Sequence, residues 1–186
     1  MALKMSKNLD EVCYPFILEA SVLCDFEVLT DELCGHIGEI IELTPFDDLR
    51  ADLERLQPLA FHVNGSIRGR LAVEETDLAW LQERLGHYKQ EVSERLKGFV
   101  LPRGSAPVPQ LHHARSCAKK AIRAMVRVDQ EGLEVPVILP RLCNMMVNYF
   151  FVLTLVINQR RGINEVPFVS KSYGSSRETS TCLGTR

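Results

Sequence analysis

The chain has 186 residues, 46% apolar and 25% charged, which suits one domain with a sizeable core. A net charge of −2 excludes general affinity for nucleic acid and leaves room only for local basic patches. Six cysteines (Cys13, Cys24, Cys34, Cys117, Cys143, Cys182) form no C-x-x-C pair and no zinc spacing. With no signal peptide read at the start, reduced and mostly buried thiols are expected instead of a disulfide framework.

Residues 1–29 are read as a divergent N-terminal segment. Pro15 interrupts a mixed apolar run, and Phe16, Ile17, Leu18, Val22 and Leu23 suit either a short helix or an extended stretch. No glycine precedes Gly35. A phosphate-cradling loop needs glycines to bring several backbone N–H groups close to oxygen atoms, so this segment holds none.

A helix is expected from Thr30 as N-cap, with Asp31 and Glu32 in its first turn and Leu33, Ile37, Ile40 and Ile41 on its apolar face. A second is expected after Thr44, with Pro45 at its first position and a stripe from Phe46 to Ile67 that Pro58 should kink. A third starts near Thr76 and buries Leu78, Leu81, Leu85, Tyr88, Val92 and Leu96. After the loop 98–109 comes a fourth helix, then a connection over Asp129–Pro136. The fifth has Pro140 in its first turn and ends at about Arg161, before Gly162. Its eighteen uncharged residues between Arg141 and Arg160 approach membrane-spanning length. Asn144, Asn148, Asn158 and Gln159 would lack partners in lipid, so a central buried helix is the better reading. Residues 174–186 are small, polar and charged and are read as a flexible tail. No stretch alternates like a strand between tight turns, so the fold class is all-α, an antiparallel five-helix bundle over residues 30–173.

The stretch from Phe99 to Arg123, FVLPRGSAPVPQLHHARSCAKKAIR, concentrates the candidate chemistry. Pro102, Gly104, Pro107 and Pro109 make a stiff loop. The helix after it sets His112, Arg115, Lys119 and Arg123 at steps of three and four, on one side. Such a stripe suits an anionic ligand; a solvated basic face is the alternative.

The motifs F-V-L-P-x-G-S and L-H-x-A-R in this stretch resemble the signature of the PduO-type ATP:corrinoid (cob(I)alamin) adenosyltransferases. Thr30-Asp31-Glu32-Leu33-Cys34 is similar to the family's V-D-E-L-N, and Asn144 to Phe151 to its N-R-L-S-D-Y-L-F. The resemblance implies a five-helix bundle, usually a homotrimer with active sites between subunits. Such a protein transfers the 5′-deoxyadenosyl group of ATP to the cobalt of a reduced corrinoid. It implies catalytic roles for Phe99, Arg115 and Asp31. Phe99, with Val100 and Leu101 beside it, would exclude the lower ligand of cobalt from an apolar pocket. Arg115 would pair with Asp31 across the subunit boundary. His112, Lys119, Arg123 and Asn144 complete the binding set, and no resident metal is implied.

The chain also departs from that pattern. The family's N-terminal T-K-T-G-D-x-G-x-T phosphate loop has no counterpart in residues 1–29. R-R-A-E-R reads Lys119-Lys120-Ala121-Ile122-Arg123, N-R-L-S-D carries Met145 and Asn148, and a later A-R pair is Thr154-Leu155. Lysine lacks arginine's bidentate fork, so impaired binding of ATP with Mg2+ is expected while the corrinoid substrate is retained. The leading expectation is a cytoplasmic adenosyltransferase whose partners include a reductase or a corrinoid-dependent enzyme, with no nucleic acid and no membrane. The alternatives are a non-catalytic corrinoid or tetrapyrrole storage and delivery protein, and a structural bundle without a small ligand.

Overall fold

A computed structural model describes residues 3–172; the expected tail, 174–186, and Cys182 lie outside the described residues. Five helices carry the fold: α1 (Val22–Leu43), α2 (Asp47–Gly65), α3 (Glu75–Glu91), α4 (Val108–Gln130) and α5 (Ile138–Arg160). α1 packs against α2 and α4, α4 against α5, and α5 against α3. Polar side chains link α2 to α3. The Oδ2 of Asp52 accepts from Arg84 Nε at 2.7 Å and from the Tyr88 and Tyr149 hydroxyls, each at 3.0 Å.

α1 starts eight residues before the expected cap, and so runs through the expected division at residues 29 and 30. Ser21 is the cap, its side chain accepting from the Leu23 N–H at 3.1 Å. Glu131, just past α4, accepts from the Ser21 hydroxyl and the Val22 N–H, so a carboxylate sits on the positive end of α1. Thr30 is interior instead. Its hydroxyl donates to the carbonyls of Phe26 and Glu27, which a helix permits, while Leu23, Phe26, Thr30 and Leu33 are buried together. Thr44 likewise closes α1 and does not open α2: its hydroxyl donates to Ile40 O at 2.6 Å. α2 begins two residues later than expected, with Asp47 and Asp48 in its first turn, and it runs on through Pro58. At α3 the capping box uses Glu74 and Asp77, one turn of chain around Thr76.

α5 is long and apolar enough to cross a membrane by length and composition, yet most of it is buried against α3 and α4. Tyr149, Phe150, Leu153, Val156 and Ile157 are among its buried residues. One feature departs from the all-helical expectation. β1 (Val100–Leu101) pairs antiparallel with β2 (Val166–Pro167), and Phe168 N–H donates to Phe99 O at 2.8 Å. Two residues per strand are too few for an alternation signal. Arg95 fixes the segment after α5 by donating to Ile163 O and Glu165.

Candidate functional site

The loop that leads into α4 is held on the end of α5. Asn158 Nδ2 donates to Arg103 O at 3.3 Å, and Arg161 Nη1 donates to Ala106 O at 2.6 Å. Gly104 has φ 153°, and a Cβ there would lie 2.7 Å from Val108 Cγ1 and 2.9 Å from Asn158 Oδ1. No side chain fits, which is the physical reason for glycine in L-P-x-G-S.

Phe99, at the head of this loop, is 74% exposed, so ordinary core packing is not its role. Phe168 and Val169, brought alongside by the strand pair, are also exposed, at 47% and 86%. Val100 and Leu101 are half-buried below them. An apolar surface this open in a single chain differs from an enclosed pocket.

Along α4 the expected stripe divides into two parts. His112 and Arg115 are half-buried, and burial lowers the pKa of both. For His112, Arg115 and His113 add to the same direction. The Arg115 guanidinium lies 4.8 Å from the Phe151 ring centroid on α5, and its Nε is buried without a hydrogen-bond partner. Asp31 is exposed on α1, and among the described residues no ion pair joins it to Arg115. His113 is exposed, its ring 5.9 Å from that of His36.

The second part turns towards α1. Lys119, Lys120, Arg123 and Arg127, with Ser116 and Leu29, line an open groove of about 510 Å³. Burial, with Arg115 nearby, pulls the Lys119 ammonium below its ordinary value. None of the four cations forms an ion pair among the described residues. Lys119 and Arg123 were expected here; Arg127 and Leu29 were not named. Arg127 follows Arg123 by four residues, so extending the same helical row by one turn finds it. Leu29 comes from another helix, and no local pattern signals it.

Asn144 stands apart from this groove. It is exposed on α5 and its Nδ2 donates to Pro140 O at 2.8 Å, within its own helix. The positions that depart in charge are distributed over two helices. Ile122 and Met145 pack partly buried against the core, Asn148 is exposed, and Leu155 is 1% exposed. Leu155 therefore sits where a charged side chain would be desolvated. Among the described residues no group of three or more His, Cys, Asp or Glu is placed to hold a metal.

Comparison with known proteins gives one consistent result. The family model of the cobalamin adenosyltransferases matches residues 24–157. A corrinoid adenosyltransferase of Bacillus subtilis is 32% identical over 147 residues, 74% of this chain and 75% of that protein. A cobalamin adenosyltransferase of Cupriavidus metallidurans is 34% identical over 141 residues, 73% of this chain and 74% of that one. A variant of a PduO-type ATP:corrinoid adenosyltransferase from Lactobacillus reuteri, solved with cobalamin and ATP, superposes with TM-score 0.74 at 22% identity. That match covers 82% of this chain and 89% of the other. At that identity the likeness shows the bundle fold.

Proposed function

The chain belongs to the cobalamin adenosyltransferase family, and we propose that it transfers the 5′-deoxyadenosyl group of ATP to the cobalt of a reduced corrinoid. One observation carries the reading: the loop that leads into α4 starts at an exposed apolar platform around Phe99, and α4 itself carries a groove of four cations with no ion pair among the described residues. An apolar face on the loop and a polyphosphate groove on the helix that follows it suit a flat macrocycle and a nucleotide brought together.

In the transfer, cobalt(I) supplies the electron pair of the new cobalt–carbon bond to C5′. The C5′–O bond breaks, and triphosphate leaves with the electron pair of that C–O bond. Lys119, Lys120 and Arg123 would bind the triphosphate and stabilise the charge developing on its leaving oxygen. Phe99 would cover the lower face of the corrinoid, keeping a fifth ligand off the cobalt, with Val100 and Leu101 beneath it. The corrinoid is a substrate here, as is ATP.

The assembly is a homotrimer in this reading. What supports it is Arg115, a half-buried cation with an unpartnered Nε and no ion pair among the described residues. A buried charge without a counter-ion is costly, and Asp31 of a second copy would relieve it. Residues 30–173, together with the start of α1, form the working unit. We place the protein in the cytoplasm, served by a reductase or handing its product to a corrinoid-dependent enzyme, without nucleic acid or membrane. His112, half-buried one turn before Arg115, and exposed Asn144 belong to the surroundings of the site.

A second reading, a non-catalytic corrinoid carrier, is favoured by Leu155, Met145 and Ile122, apolar residues at positions charged in the family pattern. The deciding experiment mixes the protein with chemically reduced cobalamin and MgATP and follows the visible spectrum. Appearance of adenosylcobalamin at a protein-dependent rate, lost in Lys119→Ala, supports transfer. Cobalamin binding without any conversion would leave the carrier.

A further inference from the structure

The row of cations on α4 continues past the end of the family motif. Lys119, Arg123 and Arg127 stand four residues apart, and Lys120 flanks them on the same groove. At 1.5 Å rise per residue the row covers about 12 Å of helix axis. Like charges at this spacing repel and cost helix stability. In a solvated structural helix carboxylates are usually interspersed with the cations, as Glu83, Arg84, Lys89 and Glu91 are on α3. Here the neighbouring position is Ile122, which packs against the core.

Among the described residues no carboxylate forms an ion pair with the row. Glu131 follows Arg127 by four residues, yet its carboxylate is occupied at the start of α1 by the Ser21 hydroxyl and the Val22 N–H. Asp25, one turn before Leu29 on α1, makes no ion pair with any cation of the groove. Four cations thus face one open groove with no ion pair among the described residues, and Ser116 adds a hydroxyl.

We infer that Arg127 is a further phosphate-binding residue of this chain, extending the triphosphate site one helical turn beyond Arg123. This rests on the reading of α4 as the ATP helix. Its planar fork restores a bidentate phosphate contact on a row where Lys119 and Lys120 offer only point charges. Leu29, on α1, lines the opposite side of this open groove.

The test uses the full chain at low ionic strength, where weak anion binding is measurable. MgATP and magnesium tripolyphosphate are titrated calorimetrically into the parent protein, Lys119→Ala, Arg127→Ala and Arg127→Lys, each checked by circular dichroism. The expected result is about tenfold weaker binding of both ligands in Lys119→Ala and Arg127→Ala, the size of one lost charge-assisted contact, with partial recovery in Arg127→Lys. Adenosine, which carries no phosphate, should bind equally to all four. If Lys119→Ala weakens MgATP but Arg127→Ala does not, the inference about Arg127 fails and the reading of α4 stands. If the parent protein binds neither MgATP nor tripolyphosphate, both fail together.

Discussion

The guanidinium of Arg115 lies 4.8 Å from the centroid of the Phe151 ring, with its Nε buried and unpartnered. The contact orients a cation on the α4–α5 face of the bundle. A ring face gives about 0.5–2 kcal/mol, less than the cost of holding a guanidinium away from water without a carboxylate. In the proposed trimer this cation would be half of an ion pair, with Asp31 of a second copy as the other half.

The first prediction follows from that imbalance. Arg115→Ala should dissociate the assembly, whereas Arg123→Ala, on the open groove, should leave it intact. Asp31→Ala should match Arg115→Ala, and the double variant should cost little more than either single one. Sedimentation equilibrium measures this, and a parent protein that is a stable monomer at micromolar concentration would sink the idea.

Asp52 supports the second prediction, on stability. One of its oxygens accepts from Arg84, Tyr88 and Tyr149, and both tyrosines are fully buried. Desolvation raises the pKa of both hydroxyls, so they remain neutral donors that need the acceptor. Asp52→Ala leaves Arg84 without its counter-ion and the buried Tyr149 hydroxyl without its acceptor, while Tyr88 keeps Asp48 and Arg84, and should cost about 3–5 kcal/mol. Tyr149→Phe removes one donor from a shared oxygen and should cost about 1 kcal/mol. Urea unfolding followed by circular dichroism checks both, and equal small losses would show the cluster to be hydrated.

The third concerns acid. The hydrogen bond from Arg160 holds the Asp48 carboxyl below its ordinary value, against a smaller opposing effect of burial. A carboxylate depressed in the folded state contributes stability that is present above its unfolded pKa of about 3.9 and is lost as pH falls through the lower folded value. Melting temperature should accordingly fall with acidification below about pH 4, and Asp48→Asn should flatten that slope while lowering stability at pH 7. An unchanged acid slope in the variant would remove Asp48 from the account.

How much of this was legible beforehand depends on the range of each signal. The five helices follow from apolar spacing, and α5 was correctly read as a core helix from its asparagines. The two misplaced starts share a cause. Thr30 and Thr44 are good caps by type, but each hydroxyl bonds to a carbonyl one turn back, which sequence does not distinguish from capping. Ser21 was missed because half of what makes it the start is Glu131, 110 residues away. In the site, Gly104, Lys119, Lys120 and Arg123 show as local pattern, whereas Arg127 was not named. The exposure of Phe99 was not, because it depends on where β2 brings Phe168, well over sixty residues downstream.

Phe99 gives the fourth prediction. With its ring exposed at the head of the loop before α4, truncation should not unfold the chain: Phe99→Ala is expected to change stability by less than about 0.5 kcal/mol. Its effect should appear in the ligand. Cobalt(II)-cobalamin bound with MgATP to the parent protein should show a four-coordinate spectrum, and the variant should revert towards five-coordinate. A melting temperature that drops by several degrees with an unchanged spectrum would make Phe99 a packing residue.

The last prediction concerns how tightly ATP is held. A triphosphate carries about four negative charges and needs several donors converging on it. This chain offers four cations on an open groove, two of them lysines, and no glycine before Gly35 to form a backbone cradle. Ile122, Met145 and Leu155 remove three charged groups from positions charged in the family pattern, and Leu155 is too buried for a rotamer change to restore one. Each lost charge-assisted contact costs about 1.5–3 kcal/mol, so three weaken binding by roughly 10³-fold or more. Arg127 recovers one such contact and leaves a deficit of about two. What remains is mainly attraction between exposed charges, which salt screens over about 8 Å at physiological ionic strength. MgATP affinity should therefore lie in the millimolar range at physiological salt and strengthen steeply on dilution of the salt. Adenosyl transfer should be slow at cellular ionic strength and accelerate at low salt, while cobalamin binding through the apolar platform changes little. Calorimetry across a salt series decides it: micromolar MgATP affinity that is insensitive to salt would refute the weak groove and require a phosphate site built from residues 1–29.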